Sequence, residues 1–282
     1  MSSVLITGAG GGIGQALVTR FTKAGWTVHA SERRGPGLEL DVTSEESVRS
    51  AKARIGVPDV VINNAGLGLL RPMAETSDEL IVRQLDVNVR GLARVTRAFV
   101  PDMCRRGHGR IINVGSLAGV FTLPWFGSYS ATKHAVEAMS DALRVEVAQF
   151  GEQVSLIEPS IVGTGFVDHA VASLERAAPG SLWHDAIHRT LAGRAAFSAV
   201  QITPEQVAEV IFTAATARRA KARYRVGFWA SVALRVAAFL PTHLTDVVLR
   251  SIGHLSNARP LPTDSQEPRV MPLPVPRDGV SP

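Results

Sequence analysis

Two side chains that could exchange a proton stand four residues apart, Tyr129 and Lys133. A helix is predicted from Tyr129 to about Phe150, and residues four apart lie on one face of a helix. A phenol has an ordinary pKa near 10, and a cation held beside it favours the phenolate and lowers that pKa. The pair is a candidate acid–base site, although the same spacing also arises by chance in surface helices.

A glycine-rich turn follows the first predicted strand, which comprises residues 3–7. Apolar residues at helical spacing continue after the turn as far as Gly25. A turn of this kind lets a phosphate approach the backbone and meet free N–H groups at the positive end of a helix. The alternative is a merely flexible turn. The common G-x-G-x-x-G fingerprint is absent, and the pattern is Thr7-Gly8-x-x-x-Gly12-x-Gly14.

Further polar motifs follow predicted strands and helices in order along the chain. The strand 59–62 leads into Asn63-Asn64-Ala65-Gly66, and a long predicted helix over 77–103 carries Asn88. The strand 110–114 leads to Ser116, thirteen residues before Tyr129. Because parallel sheets bind ligands at the carboxyl ends of their strands, Ser116 is expected to emerge beside a bound ligand.

These motifs together resemble the short-chain dehydrogenase/reductase family, in its branch with T-G-x-x-x-G-x-G and Y-x-x-x-K, over roughly residues 2–225. The resemblance implies an α/β fold with a Rossmann-type doubly wound parallel sheet in three α/β/α layers. It also implies that Tyr129 exchanges the proton, Lys133 holds the cofactor ribose and Ser116 binds the substrate oxygen. Asn88 would anchor a water that links Lys133 to solvent, and no metal is required.

The same resemblance implies the cofactor contacts. They comprise Gly8, Gly12, Ile13, Gly14, Ser31, Arg33, Asp41, Val42, Asn64, Ala65, Gly66, Tyr129, Lys133, Pro159, Val162 and Thr164.

Three of the predicted cofactor contacts depend on local features of the sequence. Ser31 directly follows the second predicted strand, 26–30, and Arg33 suits the extra phosphate of NADP, so NADP is favoured over NAD although Glu32 opposes it. Asp41 contacts the adenine ring or, alternatively, closes a turn.

The sequence departs from the family pattern at two places. Ser160 replaces the glycine that the family carries after Pro159. The stretch 32–37 is too short and too rich in glycine and proline for the usual crossover helix.

The substrate side and the C-terminal part are apolar. Residues 165–200 are irregular and are expected to cover the substrate, and Ser116, Phe121, Trp125, Phe126 and Tyr129 are the predicted substrate contacts. A helix over 204–217 and a last strand over 224–227 precede the apolar segment 228–240 and a helical apolar stripe from Leu244 to Leu255. The two apolar segments cover the core or a subunit interface, line a lipophilic pocket, or attach to a membrane surface. They resemble the extension of retinol and hydroxysteroid dehydrogenases in the family.

Length and composition agree with a protein that stays inside the cell. The chain has 282 residues, 45% of them apolar, and one cysteine, Cys104, which is expected to pack in the core. Its net charge is +5, and the one basic cluster, 218–225, is either a solvated helix end or a site for phosphate or an anionic membrane. Nothing in the sequence predicts nucleic-acid binding. We predict a domain over 1–227, a helical extension packed on it over 228–256 and a disordered proline-rich tail over 257–282, in a cytoplasmic homodimer or homotetramer acting on a lipophilic alcohol or carbonyl.

Overall fold

The computed structural model describes residues 1–35, 37–193, 201–227 and 241–255, and one seven-stranded sheet lies at its centre. All strand pairs are parallel, and the order is β3-β2-β1-β4-β5-β6-β7. The strands are β1 Ser3–Thr7, β2 Thr27–Glu32, β3 Leu38–Glu39, β4 Val60–Asn63, β5 Arg110–Val114, β6 Gln153–Pro159 and β7 Arg223–Val226. Successive strands are added on one side of β1 as far as β3 and on its other side from β4 onward, so the strand order reverses between β1 and β4. Ligands bind at such a point in open parallel sheets.

Helices cover both faces of the sheet, which confirms the predicted three layers. The helices are α1 Gly12–Lys23, α2 Glu45–Ile55, α3 Asp78–Leu85, α4 Leu92–Arg106, α5 Gly127–Val147, α6 Gly165–Glu175, α7 His184–Ala192, α8 Pro204–Thr216 and α9 Thr242–Ile252.

Successive side chains of β1 point to opposite faces of the sheet, so the strand contributes to a hydrophobic core on each face. Ile6 packs in a cluster with residues of α1 and α8, while Leu5 packs with residues of α2 and α4. Strands that are buried on both faces in this way read as continuous apolar runs in the sequence.

Several element boundaries differ from the predicted ones. Strand β2 continues to Glu32 instead of ending at residue 30, because its register with β1 pairs Ser31 with Thr7. The long predicted helix over 77–103 is interrupted by a π-helical segment, Asp86–Gly91, between α3 and α4. The prediction that 165–200 is irregular is wrong where the chain forms α6 and α7. Residues 33–35 and 37, the described part of the connection between β2 and β3, form no helix, which confirms the predicted lack of a crossover helix there.

The C-terminal helix α9 exposes its apolar stripe. Leu244 is 44% exposed, Val247 64%, Val248 51% and Ile252 36%. Beyond the helix, the predicted stripe residue Leu255 packs in a cluster with residues of α6 and α7. No helix in the described part of the chain is long and apolar enough to cross a membrane. The predictions for 228–240 and for the tail from residue 256 onward lie outside the described residues.

Candidate active site

Three predicted catalytic side chains meet at the carboxyl edge of the sheet. Ser116 follows β5 and begins a short 3-10 turn. Its Oγ accepts a hydrogen bond from the Ala118 N–H of that turn at 3.1 Å. Tyr129 lies in the first turn of α5, and its phenol shares a hydrogen bond with the Ser116 hydroxyl. Lys133 lies one turn further on, where its Nζ is 5.9 Å from the centre of the Tyr129 ring and donates to the Val114 carbonyl at 2.9 Å.

Burial dominates the protonation of this pair. It raises the pKa of Tyr129 to about 12, and the hydrogen bond with Ser116 lowers that pKa only in part. Burial lowers the pKa of Lys133 to about 8, against the opposing charge of Glu137. Burial and Ser116 are the causes that act on the Tyr129 pKa in this structure, so its predicted lowering by Lys133 stays a prediction.

Asn88 is brought to the same place by the π-helical segment. Its Oδ1 accepts the Leu67 N–H at 2.7 Å, and its Nδ2 donates to the Leu67 carbonyl and to Thr132 of α5. The side chain thus ties the chain after β4 to α5. A small cavity beside it is lined by Thr7, Val42, Asn63, Ala65, Val87, Asn88, Leu92, Val114 and Lys133.

The cavity next to Asn88 could hold the predicted water. Asn63 Oδ1 is buried and has no hydrogen-bond partner among the described residues. Buried waters occupy sites that have several polar partners, and this cavity has Thr7, Asn63 and Lys133 in its wall. The water itself stays a prediction.

The glycine turn is shaped by close backbone contacts. Gly8 has a φ of +65°, and a Cβ there would lie 2.8 Å from Ala65 Cα. A Cβ on Gly14 would lie 2.3 Å from the Gly8 carbonyl oxygen. Helix α1 begins after Gly11 with no side-chain cap and with no acidic residue in its first turn. Its N–H groups therefore fit a diphosphate, as a dinucleotide cofactor requires.

Thr7 is a residue of the site that is not among the predicted cofactor contacts. Its hydroxyl accepts the N–H groups of Asn64 and Ala65, both at 3.0 Å, and donates to the Ile62 carbonyl. Asn64 completes the brace, because its Nδ2 donates to the carbonyls of Thr7 and Gly8. The signal was present in the sequence, since threonine opens the T-G motif at the end of β1.

Gly66 joins this brace to two of the predicted catalytic residues, Asn88 and Lys133. A Cβ on Gly66 would lie 3.6 Å from Asn88 Oδ1 and 3.9 Å from Lys133 Nζ. The predicted Asn64, Ala65 and Gly66 therefore lie between the glycine turn and the acid–base pair.

The prediction that Ser31 contacts the cofactor is not supported by its position. Ser31 lies inside β2, is completely buried and donates its hydroxyl to the Ile6 carbonyl. Glu32 ends the strand, and its carboxylate lies beside Gly10, where a Cβ would come within 2.8 Å of both carboxylate oxygens. Arg33 follows as an exposed side chain. The group facing the glycine turn from β2 is therefore an acid.

Asp41 makes a turn, as one of the two alternatives predicted. Its Oδ1 accepts both the N–H and the hydroxyl of Thr43, at 2.8 and 2.7 Å. Val42 lies deeper and lines the cavity beside Lys133. The contact of Asp41 with adenine stays a prediction.

The loop after β6 reaches the glycine turn. Pro159 ends the strand, Val162 is buried and forms a bridge with Ile202, and Thr164 packs on Gly12, where a Cβ would lie 2.5 Å from its methyl group. Ser160 is accommodated by Gly227, which has a φ of +114° and leaves room for the hydroxymethyl group. The loop thus brings Thr164 to the glycine turn despite the serine, and the contacts of Pro159, Val162 and Thr164 with a cofactor stay a prediction.

Aromatic rings surround the Tyr129 side chain. Phe126 lies 6.3 Å from its ring centre and Phe166 lies 5.8 Å away. Trp125 backs this wall instead of lining it, because it is buried with residues of α6 and α7. No ring contact joins Phe121 to Tyr129 in the part of the chain described. Phe166 is not among the predicted substrate contacts, because the sequence of 165–200 indicates no regular structure whereas Phe166 lies in α6.

Comparisons with known proteins agree with this geometry. A family model described as short chain dehydrogenase matches residues 2–175. The 17-beta-hydroxysteroid dehydrogenase type 1 of Homo sapiens is 36% identical over 249 residues, which are 78% of this chain and 76% of that protein. The residues matched by the family model include Asn88, Ser116, Tyr129 and Lys133.

Solved structures of similar fold include two bacterial proteins. A short-chain dehydrogenase from Streptomyces avermitilis gives a TM-score of 0.71 at 28% identity, over 89% of this chain and 96% of that one. A short chain dehydrogenase from Burkholderia cenocepacia in complex with NADP gives 0.70 at 25% identity, over 88% and 97%. The likeness thus extends over nearly the whole of both solved chains.

Proposed function

Because the chain belongs to the short-chain dehydrogenase family, we propose that it interconverts a lipophilic secondary alcohol and its ketone, or an aldehyde, with NAD(P). One observation carries the proposal. Ser116, Tyr129 and Lys133 lie together at the carboxyl edge of the sheet, and Gly66 connects them to the glycine turn.

Each side chain has a role that its position allows. A nicotinamide cofactor supplies or accepts the hydride. Tyr129 donates its proton to the carbonyl oxygen during reduction and takes it back from the alcohol during oxidation. The Ser116 hydroxyl, already bonded to the phenol, orients the substrate oxygen, and Lys133 supplies the positive charge that stabilises the ionised phenol. Asn88 fixes the loop after β4 against α5 and so keeps Lys133 in place.

A lipophilic substrate suits the walls of the site. Phe126 and Phe166 present aromatic rings around Tyr129, and such rings favour steroid-like or retinoid-like carbonyls over short polar ones. The relative from Homo sapiens is named as a hydroxysteroid dehydrogenase, which supports the same substrate class.

The preference between cofactors depends on two adjacent residues. Arg33 follows β2 as an exposed side chain, where it would pair with the extra phosphate of NADP, and the NADP complex of the Burkholderia cenocepacia protein supports that preference. Glu32, beside Gly10, favours the ribose hydroxyls of NAD instead. We keep NADP as the proposed cofactor, with Glu32 weakening the preference.

The exposed stripe of α9 favours a second role, attachment to a membrane surface through residues 228–255. The basic cluster 218–225 leads into β7 at the amino edge of the sheet. Residues 253 and 254, which follow α9, contact instead Thr190 and Arg189 of α7. Cosedimentation with neutral and with anionic vesicles tests the attachment, and loss of binding in Val247→Asp is expected. A cytoplasmic location and a homodimer or homotetramer complete the proposal.

The test follows cofactor absorbance at 340 nm with steroid, retinoid and short aliphatic carbonyls. Tyr129→Phe is expected to lose about 100-fold or more in kcat, as removal of a general acid does. Tyr224→Phe is the control, since Tyr224 is the only other tyrosine and lies in β7. Retained turnover in Tyr129→Phe would overturn the mechanism, and cofactor binding without turnover of any carbonyl would favour a non-catalytic regulator.

A further inference from the structure

Glu137 lies one turn beyond Lys133 on the same side of α5. Tyr129, Lys133 and Glu137 are spaced four residues apart, so their side chains follow one another along one face of the helix. The Glu137 side chain is only 12% exposed. A nearly buried carboxylate is costly unless a cation compensates it. Its position beside the catalytic lysine therefore needs an explanation.

Only one oxygen of Glu137 is hydrogen-bonded. Oε2 accepts from Arg223 Nη2 at 3.2 Å and from Arg223 Nε at 3.3 Å. Oε1 is buried and has no hydrogen-bond partner in the described part of the chain. It faces the turn that carries Ser116, since a Cβ would lie 3.4 Å from it at Gly115 and 3.1 Å at Gly119.

Arg223 is shared among three carboxylates. It also contacts Glu158 of β6 at 3.1 Å and Asp141 of α5 at 2.6 Å. Glu158 is fully buried and has a second cation, Arg225, at 2.8 Å, while Asp141 has Arg144 at 3.1 Å. Among the described residues Glu137 has only its share of Arg223 in hydrogen-bond contact, and its own charge acts on Lys133, one helical turn away.

We propose that Glu137 is a positioning residue of the acid–base site: its carboxylate, held by Arg223, keeps Lys133 in the ammonium form that supports Tyr129. This role rests on the proposed function. Through Arg223, Glu137 links α5 to β6 and β7, whose charged residues face it from the side of the sheet.

The charges around Glu137 set the direction of its effect. Burial, followed by the charge of Glu158, raises the pKa of Glu137 to about 7, and Arg223 opposes that rise. The groups that face it are Lys133 and Asp141 on α5, Glu158 on β6 and Arg223 on β7. Removing the Glu137 charge leaves burial of Lys133 unopposed, so the pKa of Lys133 falls below about 8.

The lysine composition allows a direct test. The chain contains four lysines, namely Lys23, Lys52, Lys133 and Lys221. Labelling lysine with carbon-13 gives a small set of side-chain NMR signals, and Lys133→Met assigns the buried one. In Glu137→Gln the titration midpoint of Lys133 is expected to fall by about one pH unit, whereas Glu137→Asp keeps it nearer to the wild-type value. An unchanged midpoint in a folded Glu137→Gln protein would overturn the proposal.

Two further measurements separate this role from a structural one. Glu146→Gln changes an exposed carboxylate on the same helix and is expected to leave the Lys133 midpoint unchanged. In carbonyl reduction, the alkaline limb of the kcat profile should move to lower pH in Glu137→Gln by the same shift. The NMR titration needs no turnover, so it remains informative even if Tyr129→Phe proves active and the proposed function fails.

Discussion

The ring of Phe166, at the start of α6, lies 5.8 Å from the ring of Tyr129 and is tilted by 53° to it. It also fills the space over Gly68, where a Cβ would come within 2.5 Å of the ring. Phe166 is itself 38% exposed, so it forms the outer wall of the site. Under the proposed function, a lipophilic substrate would gain affinity through contact with this wall.

Phe166→Ala should therefore discriminate between substrates. Loss of one apolar wall costs about 1–2 kcal/mol with a large lipophilic carbonyl, roughly a tenfold fall in kcat/KM, and much less with a short aliphatic one. Phe150→Ala, which removes a ring 47% exposed at the far end of α5, is the control. An equal fall for both substrate classes would argue for a structural role of the ring.

Glu32 should limit the binding of NADPH. Its carboxylate beside Gly10 would repel a 2′-phosphate, so Glu32→Gln is expected to tighten NADPH binding about tenfold and to weaken NADH binding slightly. Arg33→Ala is expected to weaken NADPH alone. Fluorescence titration with both cofactors measures the ratio, and Glu39→Gln, exposed on β3, is the control. A ratio that Glu32→Gln leaves unchanged contradicts the assignment.

Gly14 should be far less tolerant of a side chain than its neighbour Gly11. Gly14→Ala places a methyl group 2.3 Å from the Gly8 carbonyl oxygen and must displace backbone, which costs about 1–3 kcal/mol of stability. In Gly11→Ala the new methyl group lies 3.5 Å from the same oxygen, which is an ordinary van der Waals distance. Urea unfolding and NADH titration should both show a large effect for the first variant and a small one for the second. Equal effects would mean that the turn adjusts freely.

Lys133 should destabilise the fold at neutral pH. Its folded pKa of about 8 lies below the ordinary 10.5, so the folded state bears the full cost of burying the charge below pH 8. Between these two values the unfolded state binds more protons and stability rises with pH. The free energy of unfolding of Lys133→Met should therefore exceed that of wild type by about 1–3 kcal/mol at pH 7, and the difference should be smaller at pH 9.5.

Urea midpoints at the two pH values measure that gap, and Lys23→Met provides the exposed control. A gap that stays constant with pH would show that Lys133 titrates normally in the folded state.

The spacing of motifs predicted much of the catalytic edge. Apolar runs that end in polar or glycine residues place Gly8, Asn64 and Ser116 at the carboxyl ends of parallel strands, where they must meet. The four-residue spacing of Tyr129 and Lys133 needs only a helix. Local rules of this kind act within one element or at one strand end, so the sequence alone conveys them.

Interactions between distant elements were decided only by the tertiary structure. Ser31 turned inward because the register between β1 and β2 extends the strand to Glu32, and register depends on both strands together. Phe166 reached Tyr129 because α6 packs over the loop after β4. The charges on Glu137 and Lys133 likewise depend on burial and on Arg223, 86 residues from Glu137. Sequence motifs determined which groups could do chemistry, and packing determined which of them face one another and in what state of charge.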